Sequence, residues 1–346
     1  MRKIILLLLL VSFIPIAASA TEFTAPPAPE AASEYMPQQV STFQEDFLYI
    51  LKKAISKLQP SLADATGICV SVIAVVILTV MLKSVSETAN KAVLLTGYMV
   101  IATLLLQPSD ALIKLGTQTV QELSEYGKLL LPVMTAAVAA EGGMTTSATL
   151  YTGAMFFNSL LMSIIANVIT PLIYVNIAFA ICSVITDVQV LKNLKKLSSW
   201  LSTWCLKIVI YVFTGYLSIS GIISGKTDAA ALKTAKLTIS GFVPVVGSIM
   251  SDASETVLLS AGVMKNAAGT YGMLAIIAVV ISPFLKIAIQ YLLLKVTAVV
   301  CEIIGEDSGS KLINEYAAAM GLVLAMVSAM CLLLLISTVC FMKGVS

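Results

Sequence analysis

The chain has 346 residues, of which 58% are hydrophobic and 12% charged, with a mean hydropathy of +0.97. This apolar content far exceeds what the core of a soluble domain needs, so composition predicts an all-α membrane protein that crosses the bilayer several times. Lys and Arg are scattered and the net charge is only +2, which excludes a nucleic-acid-binding face, and the absence of histidine excludes histidine-based acid–base catalysis.

The N-terminus carries an export signal. Arg2 and Lys3 precede an apolar run that ends at Ala18-Ser19-Ala20, which is the pattern of a cleaved signal peptide over residues 1–20. Residues 21–40 are rich in Pro and Ala and poor in large apolar side chains, so they predict a disordered exported segment.

An amphipathic helix is predicted over residues 41–60. Thr42 and Glu45 have the spacing of a capping box, and apolar residues then recur at helical intervals until Pro60. Such a helix either lies on the outer membrane surface or docks on an exported partner, and its apolar stripe is compatible with both.

Residues 66–342 alternate apolar blocks with short polar loops, which predicts a helical membrane domain. We expect roughly 7–9 transmembrane or re-entrant helices, because several blocks are too short for a straight crossing. The predicted spans lie near 66–82, 92–106, 150–170, 171–186, 200–223, 271–283, 284–304 and 320–342, with shorter apolar pieces at 128–140 and 241–250.

Lysine positions predict the orientation of these spans. An exported N-terminus places residues 83–91 in the cytoplasm after one crossing, and the strongly basic loop 187–199 is predicted to be cytoplasmic as well. Loop 305–319 is acidic and is predicted to lie outside, whereas Lys343 favours a cytoplasmic C-terminus.

The sequence contains a probable internal duplication. The segment "IIANVITP" at 164–171 returns as "IIAVVISP" at 276–283, and Pro132 and Pro244 are separated by the same offset. Coincidence among apolar residues is one explanation, and a duplication of about 128–190 in 240–302 is the one we favour. Short apolar pieces with helix breakers in corresponding halves are typical of the broken helices of transport proteins.

Candidate path-lining or hinge residues follow from this pattern. The stretch "GFVPVVGSIMSDASE" at 241–255 is too short and too polar at its end to cross a bilayer, so it predicts a re-entrant element. Prolines inside spans predict kinks, or hinges that gate a path, and charges at membrane depth usually face a bundle interior or water. The candidates are Pro132, Glu141, Pro171, Gly241, Pro244, Gly247, Asp252, Glu255, Pro283, Lys286 and Gln290.

Chemistry-bearing motifs are missing from the sequence. It contains no Gly-rich phosphate loop, no zinc-protease motif and no nucleophile with a base at a telling spacing. The six cysteines all lie in or at the ends of apolar runs without a Cys-x-x-Cys pair, which favours small packing residues over a metal site. We therefore predict a protein that is not an enzyme and needs no cofactor.

The segment "SGFVPVVGSIMSDASETVLLSAGVMKNAAGTYG", Ser240 to Gly272, resembles the stage III sporulation protein AE family of endospore-forming Firmicutes. The Pro-Val-Val-Gly core at 244–247 and the following Ser251-Asp252 and Lys265-Asn266 pairs carry the resemblance. It extends from about residue 60 to the C-terminus, and no catalytic residues come with it.

The resemblance implies a role in a multi-protein apparatus of the mother-cell membrane around the engulfed forespore. Implied partners are membrane lipids, other proteins of the same operon, including a secretion-type ATPase and a ring-forming protein, and a forespore membrane protein met through the exported regions. The apparatus is thought to act as a channel that sustains the forespore and its late, sigma G-dependent transcription.

Three functional hypotheses remain open at this point. The chain is itself a permease-like conduit lined around Gly241 to Glu255, or it is a scaffold that anchors the ATPase and ring proteins. A water-filled cavity bordered by Asp252, Glu255 and Lys286 favours the conduit, and a solid core favours the scaffold. The alternative from another class is a stand-alone secondary transporter with broken helices at a repeat interface.

Overall fold

The protein is all helical in a computed structural model that describes residues 25–37, 42–85, 90–186, 189–219 and 247–343. The all-α fold predicted from composition is confirmed, and the described residues contain no strand. The predicted signal peptide at residues 1–20 lies outside the described residues.

The helices are named in chain order. They are α1 Glu30–Ser33, α2 Phe43–Ser56, α3 Gln59–Val85, α4 Asn90–Ala140, α5 Met144–Ile164, a π-helical turn Ile165–Ile169, α6 Thr170–Thr186, α7 Gln189–Ile219, α8 Gly247–Ile303 and α9 Asp307–Lys343. Within the described residues, six helical stretches are long and apolar enough to cross a membrane: Gln59–Lys83, Ala92–Ala140, Met144–Val184, Asn193–Ser218, Lys265–Ile303 and Asp307–Lys343.

Several predicted spans are joined in single helices. The pieces 92–106 and 128–140 both belong to α4, because the polar residues between them form one face of a continuous helix and not a loop. Spans 150–170 and 171–186 are one helical stretch, and spans 271–283 and 284–304 are both part of α8. Three of the six long apolar stretches in the described part of the chain thus combine two predicted pieces each.

Prolines do not break these helices. Pro132 and Pro283 lie inside α4 and α8. Pro171 follows the π-helical turn, in which Thr170 N donates to the Ile165 carbonyl five residues earlier. A proline ring collides with the carbonyl four residues before it, and a widened turn relieves that collision. The spans on either side of Pro171 and Pro283 are thus joined, by a widened turn in the first case and by an uninterrupted helix in the second.

The two copies of the predicted duplication differ in structure. Residues 141–143 form the turn between α4 and α5, with Gly142 at a φ of 95°. The positions 112 residues later, 253–255, lie inside the continuous helix α8. The copies therefore differ at this turn, while the segments that follow it, 144–186 and 256–298, are continuous helical stretches in both halves.

The core is formed where α4, α8 and α9 pack against one another. Glycines bring these helices close together, since a Cβ atom on Gly116 would lie 2.3 Å from Val323 Cγ1 and one on Gly272 would lie 2.8 Å from Leu130. Small residues at helix interfaces allow such close backbone approach, which drives packing inside membranes. Large side chains such as Met134 fill the space between the glycine contacts.

The N-terminal segment packs along α8. Ala32 and Tyr35 are buried in the common core, and the backbone N–H of Ala28 donates to the Tyr271 hydroxyl at 3.4 Å. Within the predicted disordered segment 21–40, residues 25–37 thus contact the bundle through a few apolar side chains. Disorder of the segment as a whole stays a prediction. At the start of α2, Thr42 Oγ1 accepts a hydrogen bond from the Glu45 N–H, as the capping pair predicts.

Three pairs of successive helix ends lie at the same end of the bundle, which we call the three-turn end: Val85 with Asn90, Thr186 with Gln189, and Ile303 with Asp307. Glu306 accepts a hydrogen bond from the Tyr98 hydroxyl near the start of α4. Lys195 of α7 forms an ion pair with Glu315 of α9. The opposite end contains the turn 141–143.

These contacts correct the predicted orientation. Loops 187–199 and 305–319 were predicted on opposite sides of the membrane, yet Lys195 and Glu315 are in direct contact. The acidic residues misled the prediction because they are bound by Lys195 and Tyr98, and because carboxylates contribute little to topology. The end of α9 lies beside Gly269 at the opposite end, so loop 187–199 and the C-terminus are not both cytoplasmic.

We expect a reporter fused after Lys343 to lie on the opposite side of the membrane from one inserted into the loop 187–199. Pairing a fluorescent protein that matures only in the cytoplasm with a phosphatase that is active only outside measures both positions. The control is an insertion at 86–89, which we expect on the same side as 187–199 because the helix ends that flank 86–89, Val85 and Asn90, lie at the three-turn end. Fluorescence at both Lys343 and 187–199 would contradict the arrangement.

Candidate functional site

A buried ion pair joins α8 to the turn between α4 and α5. Lys265 Nζ lies 2.6 Å from Glu141 Oε2, and the two side chains are only 6% and 11% exposed. Sequence analysis singled out Glu141 as a path candidate and Lys265 only as part of the family resemblance. The structure brings them together across 124 positions of the chain.

Two glycines shape this pair. A Cβ atom on Gly262, one turn before Lys265, would lie 2.7 Å from Glu141 Oε1, so a larger residue at 262 would displace the carboxylate. Gly142 takes a positive φ of 95°, which L-residues rarely adopt, and this turns the chain directly after Glu141. The ion pair thus connects α8 to the turn between α4 and α5 in the interior of the bundle.

The predicted residues of the second half are only partly described. Gly241 and Pro244 lie outside the described residues, and for Gly247, Asp252 and Glu255 the structure describes the helical backbone of α8 but not the side chains. Whether these five residues line a path therefore stays a prediction.

The remaining candidates are spread along the bundle. Pro132 and Pro171 are exposed, and Pro283 is half-buried. Lys286 is half-buried and Gln290, one turn further along α8, is 4% exposed. The structure does not bring these residues and Glu141 into one cluster, so the described candidates do not form a single site.

Sequence analysis missed a continuous polar face on α4. Its exposed residues recur every three or four positions through the middle of the helix, and we call them the α4 polar stripe: Gln107, Ala111, Lys114, Gln118, Gln121, Glu125 and Lys128. The spacing is visible in the sequence and is typical of one helix face. It was overlooked because residues 107–127 were interpreted as a loop between two apolar pieces.

Hydrogen bonds organise the edges of this stripe. Gln118 donates to Glu122 and Gln121 donates to Glu125, each at 3.0 Å and one helical turn apart. Lys114 pairs with Asp110 at 2.8 Å, and Asp110 also accepts a hydrogen bond from Tyr174 of α6. The stripe thus borders α6 on one side while its own side chains bind one another.

A second buried carboxylate lies at the three-turn end. Glu306 is 4% exposed and accepts a hydrogen bond from the Tyr98 hydroxyl at 2.5 Å, next to Gly305 with a φ of 93°. We expect Tyr98→Phe to lower the free energy of unfolding by about 1.5–3 kcal/mol, because it removes a hydrogen bond to a buried acid. Denaturant unfolding in detergent measures this change. Tyr211→Phe on the exposed surface of α7 is the control, and equal losses in both variants would contradict the assignment.

The described residues contain no group of three or more Cys, Asp or Glu side chains placed to hold a metal ion. Ser124 Oγ and Asn158 Oδ1 are buried without a hydrogen-bond partner, although Asn158 Nδ2 donates to the Ser124 carbonyl at 3.1 Å. These polar atoms lie in the contact between α4 and α5 and do not form a catalytic arrangement.

Comparison with known proteins gives a consistent result. A family profile described as "Stage III sporulation protein AE" matches residues 32–344. A curated protein of Bacillus subtilis (strain 168) with the name "Stage III sporulation protein AE" is 26% identical over 219 residues, which cover 63% of this chain and 55% of that relative. The aligned region thus spans little more than half of the relative's length. No solved structure matches the chain.

Proposed function

Because the chain belongs to the stage III sporulation protein AE family, we propose that it is a non-enzymatic, multi-pass component of the membrane complex that links mother cell and forespore. It resides in the mother-cell membrane around the forespore. There it supports forespore development and late forespore transcription, together with the other proteins of its operon, including a secretion-type ATPase and a ring-forming protein.

The packed centre of the bundle is the observation that favours a scaffold over a conduit within one chain. Leu130, Met134 and Leu274 are fully buried where α4, α8 and α9 meet, and they belong to one continuous apolar core. A path through the described part of a single chain would have to displace these side chains. The chain therefore supports transfer by holding other chains in place, and a path runs beside the bundle.

The exported regions fit contact with a partner between the two membranes. α2 buries Ile50 and Ala54 against the bundle, while Leu48, Tyr49 and Ile55 remain exposed on its outer face. An exposed apolar surface of this kind suits a protein partner or a membrane surface. A stand-alone transporter is not favoured, since the candidates Glu141 of the first half and Lys286 of the second do not form one site, and Glu141 is paired with Lys265 instead.

The test is deletion and complementation in the organism that encodes this chain. We expect loss of a late forespore transcription reporter on deletion and its return with the intact gene. We also expect an affinity-tagged chain from sporulating cells to copurify with the ATPase and the ring-forming protein. Normal spores after deletion, or a tagged chain that restores the reporter without binding either protein, would overturn the proposal.

A further inference from the structure

The α4 polar stripe is long enough to cross the apolar part of a bilayer. From Gln107 to Lys128 it covers about 32 Å at 1.5 Å per residue, close to the thickness of about 30 Å of a hydrocarbon core. Exposed apolar residues continue the same helix at both ends, with Leu106 before the stripe and Leu129 after it. Exposed apolar residues therefore flank the polar stripe at both of its ends along α4.

Two sets of contacts show which part of α7 is level with the stripe. Asn158 donates to the Ser124 carbonyl of α4, and its neighbour Phe157 packs on Phe213 of α7 with ring centroids 5.2 Å apart. Ser124 and Phe213 thus lie at about the same height along the bundle.

Nearer the three-turn end, the Tyr316 hydroxyl donates to the Ala102 carbonyl at 3.0 Å, and the adjacent Glu315 pairs with Lys195 of α7. The residue numbers of level positions in α4 and α7 differ by 93 here, between Ala102 and Lys195, and by 89 between Ser124 and Phe213. The two registers agree within about 6 Å. Gln118, at the centre of the stripe, is therefore level with residues 207–211.

At this height α7 presents an apolar outer surface. Its exposed residues include Trp200, Trp204, Ile208, Tyr211 and Val212, which are between 44% and 66% exposed. Lys207 is the one charged residue among the exposed positions of 200–212, whereas six of the seven stripe residues on α4 are polar or charged. An exposed face of this composition suits lipid, and paired tryptophans are typical of the region near the interface.

One side of the bundle is therefore apolar and the other polar at the same height. Placing Lys114, Glu125 and Lys128 against hydrocarbon is costly, and such side chains normally face protein or water. Direct packing of α4 against the α4 of another copy in the same membrane would bring Glu122 and Glu125 close to their own equivalents, because copies in one membrane run parallel. Water between the chains avoids this repulsion.

We infer that the α4 polar stripe borders a water-filled path at membrane depth, which carries water and small polar solutes. One helix cannot enclose a path, so further chains of the assembly supply the other walls. The inference rests on the proposed function, because it assigns the α4 polar stripe as the surface of the scaffold that faces the path. It adds the middle of α4 as a lining surface beside the stretch 241–255, whose role stays a prediction.

The test uses single cysteines in a chain whose six native cysteines are replaced. Gln118→Cys and Gln121→Cys report on the stripe, and the level-matched Ile208→Cys and Val212→Cys report on the apolar face of α7. Membrane vesicles from sporulating cells are treated with a charged, membrane-impermeant methanethiosulfonate. Denatured samples labelled afterwards measure how much thiol each variant contains.

We expect both stripe cysteines to react at least about tenfold faster than both α7 cysteines, because only a thiol in contact with water ionises and reacts readily. Equal, fast reaction on both helices would place this height outside the bilayer, and slow reaction on both would show a stripe covered by protein or lipid. Either result overturns the inference.

Copurification of the same variants with the ATPase and the ring-forming protein separates the two proposals. Slow stripe labelling in a chain that binds its partners contradicts the water-filled path alone. Fast stripe labelling in a chain that binds no partner contradicts the proposed function and leaves the path intact. Two stripe positions are used so that a folding defect in one variant does not decide the outcome.

Discussion

Replacing Lys265 by Met is expected to lower the free energy of unfolding by about 3–5 kcal/mol, because it leaves the carboxylate of Glu141 buried without its partner. The two side chains are 6% and 11% exposed, so water does little to screen or replace the lost interaction. Denaturant unfolding of the purified chain in detergent measures the loss. Glu141→Gln is expected to be destabilising for the same reason, since it leaves an uncompensated ammonium group.

The double variant Glu141→Gln with Lys265→Met distinguishes charge from packing. It removes both charges, so its loss should be smaller than that of either single variant, and the coupling between the two positions is then large. Lys114→Met is the control at the exposed ion pair with Asp110, where we expect a change of about 0–1 kcal/mol. Losses that simply add in the double variant would show that Glu141 and Lys265 do not stabilise each other.

The fold class could be predicted from the sequence, but the helix boundaries could not. Composition determines that the chain crosses a membrane, and Thr42 with Glu45 predicts the start of α2 from local hydrogen bonding alone. Pro171 shows from the sequence alone that the regular hydrogen bonding of the helix is disturbed there. The sequence does not show that a π-helical turn accommodates the proline. The prolines therefore stay predicted positions of kinks or hinges, within helices that continue through Pro132, Pro171 and Pro283.

The candidate site was predictable only in part. Glu141 was predicted because it follows the Pro132 piece, the counterpart of 241–255 in the duplication, but its partner Lys265 lies on α8 and no sequence period links the two. The residues of the α4 polar stripe, in contrast, recur every three or four positions, and this helical spacing is visible in the sequence of 107–128. Short-range patterns are visible in one sequence, whereas contacts between distant helices need the fold.

Gly116→Leu is expected to lower the free energy of unfolding by about 1–3 kcal/mol or more by forcing α4 and α9 apart. Even a Cβ atom at this position would lie 2.3 Å from Val323 Cγ1 and 2.9 Å from Met326 Cε. Met326 is flexible, but Val323 is β-branched and its side chain has one strongly preferred rotamer in a helix. Thermal unfolding in detergent measures the effect.

Gly215→Leu is the matched control for Gly116→Leu. Gly215 also lies inside a long apolar helix, α7, but a Cβ atom there meets nothing within 4 Å among the described residues. Removing a helical glycine should by itself stabilise by about 0.5–1 kcal/mol, so Gly215→Leu is expected to be neutral or stabilising. If both variants lost stability equally, the close approach of α4 and α9 at Gly116 would not be what holds the bundle together.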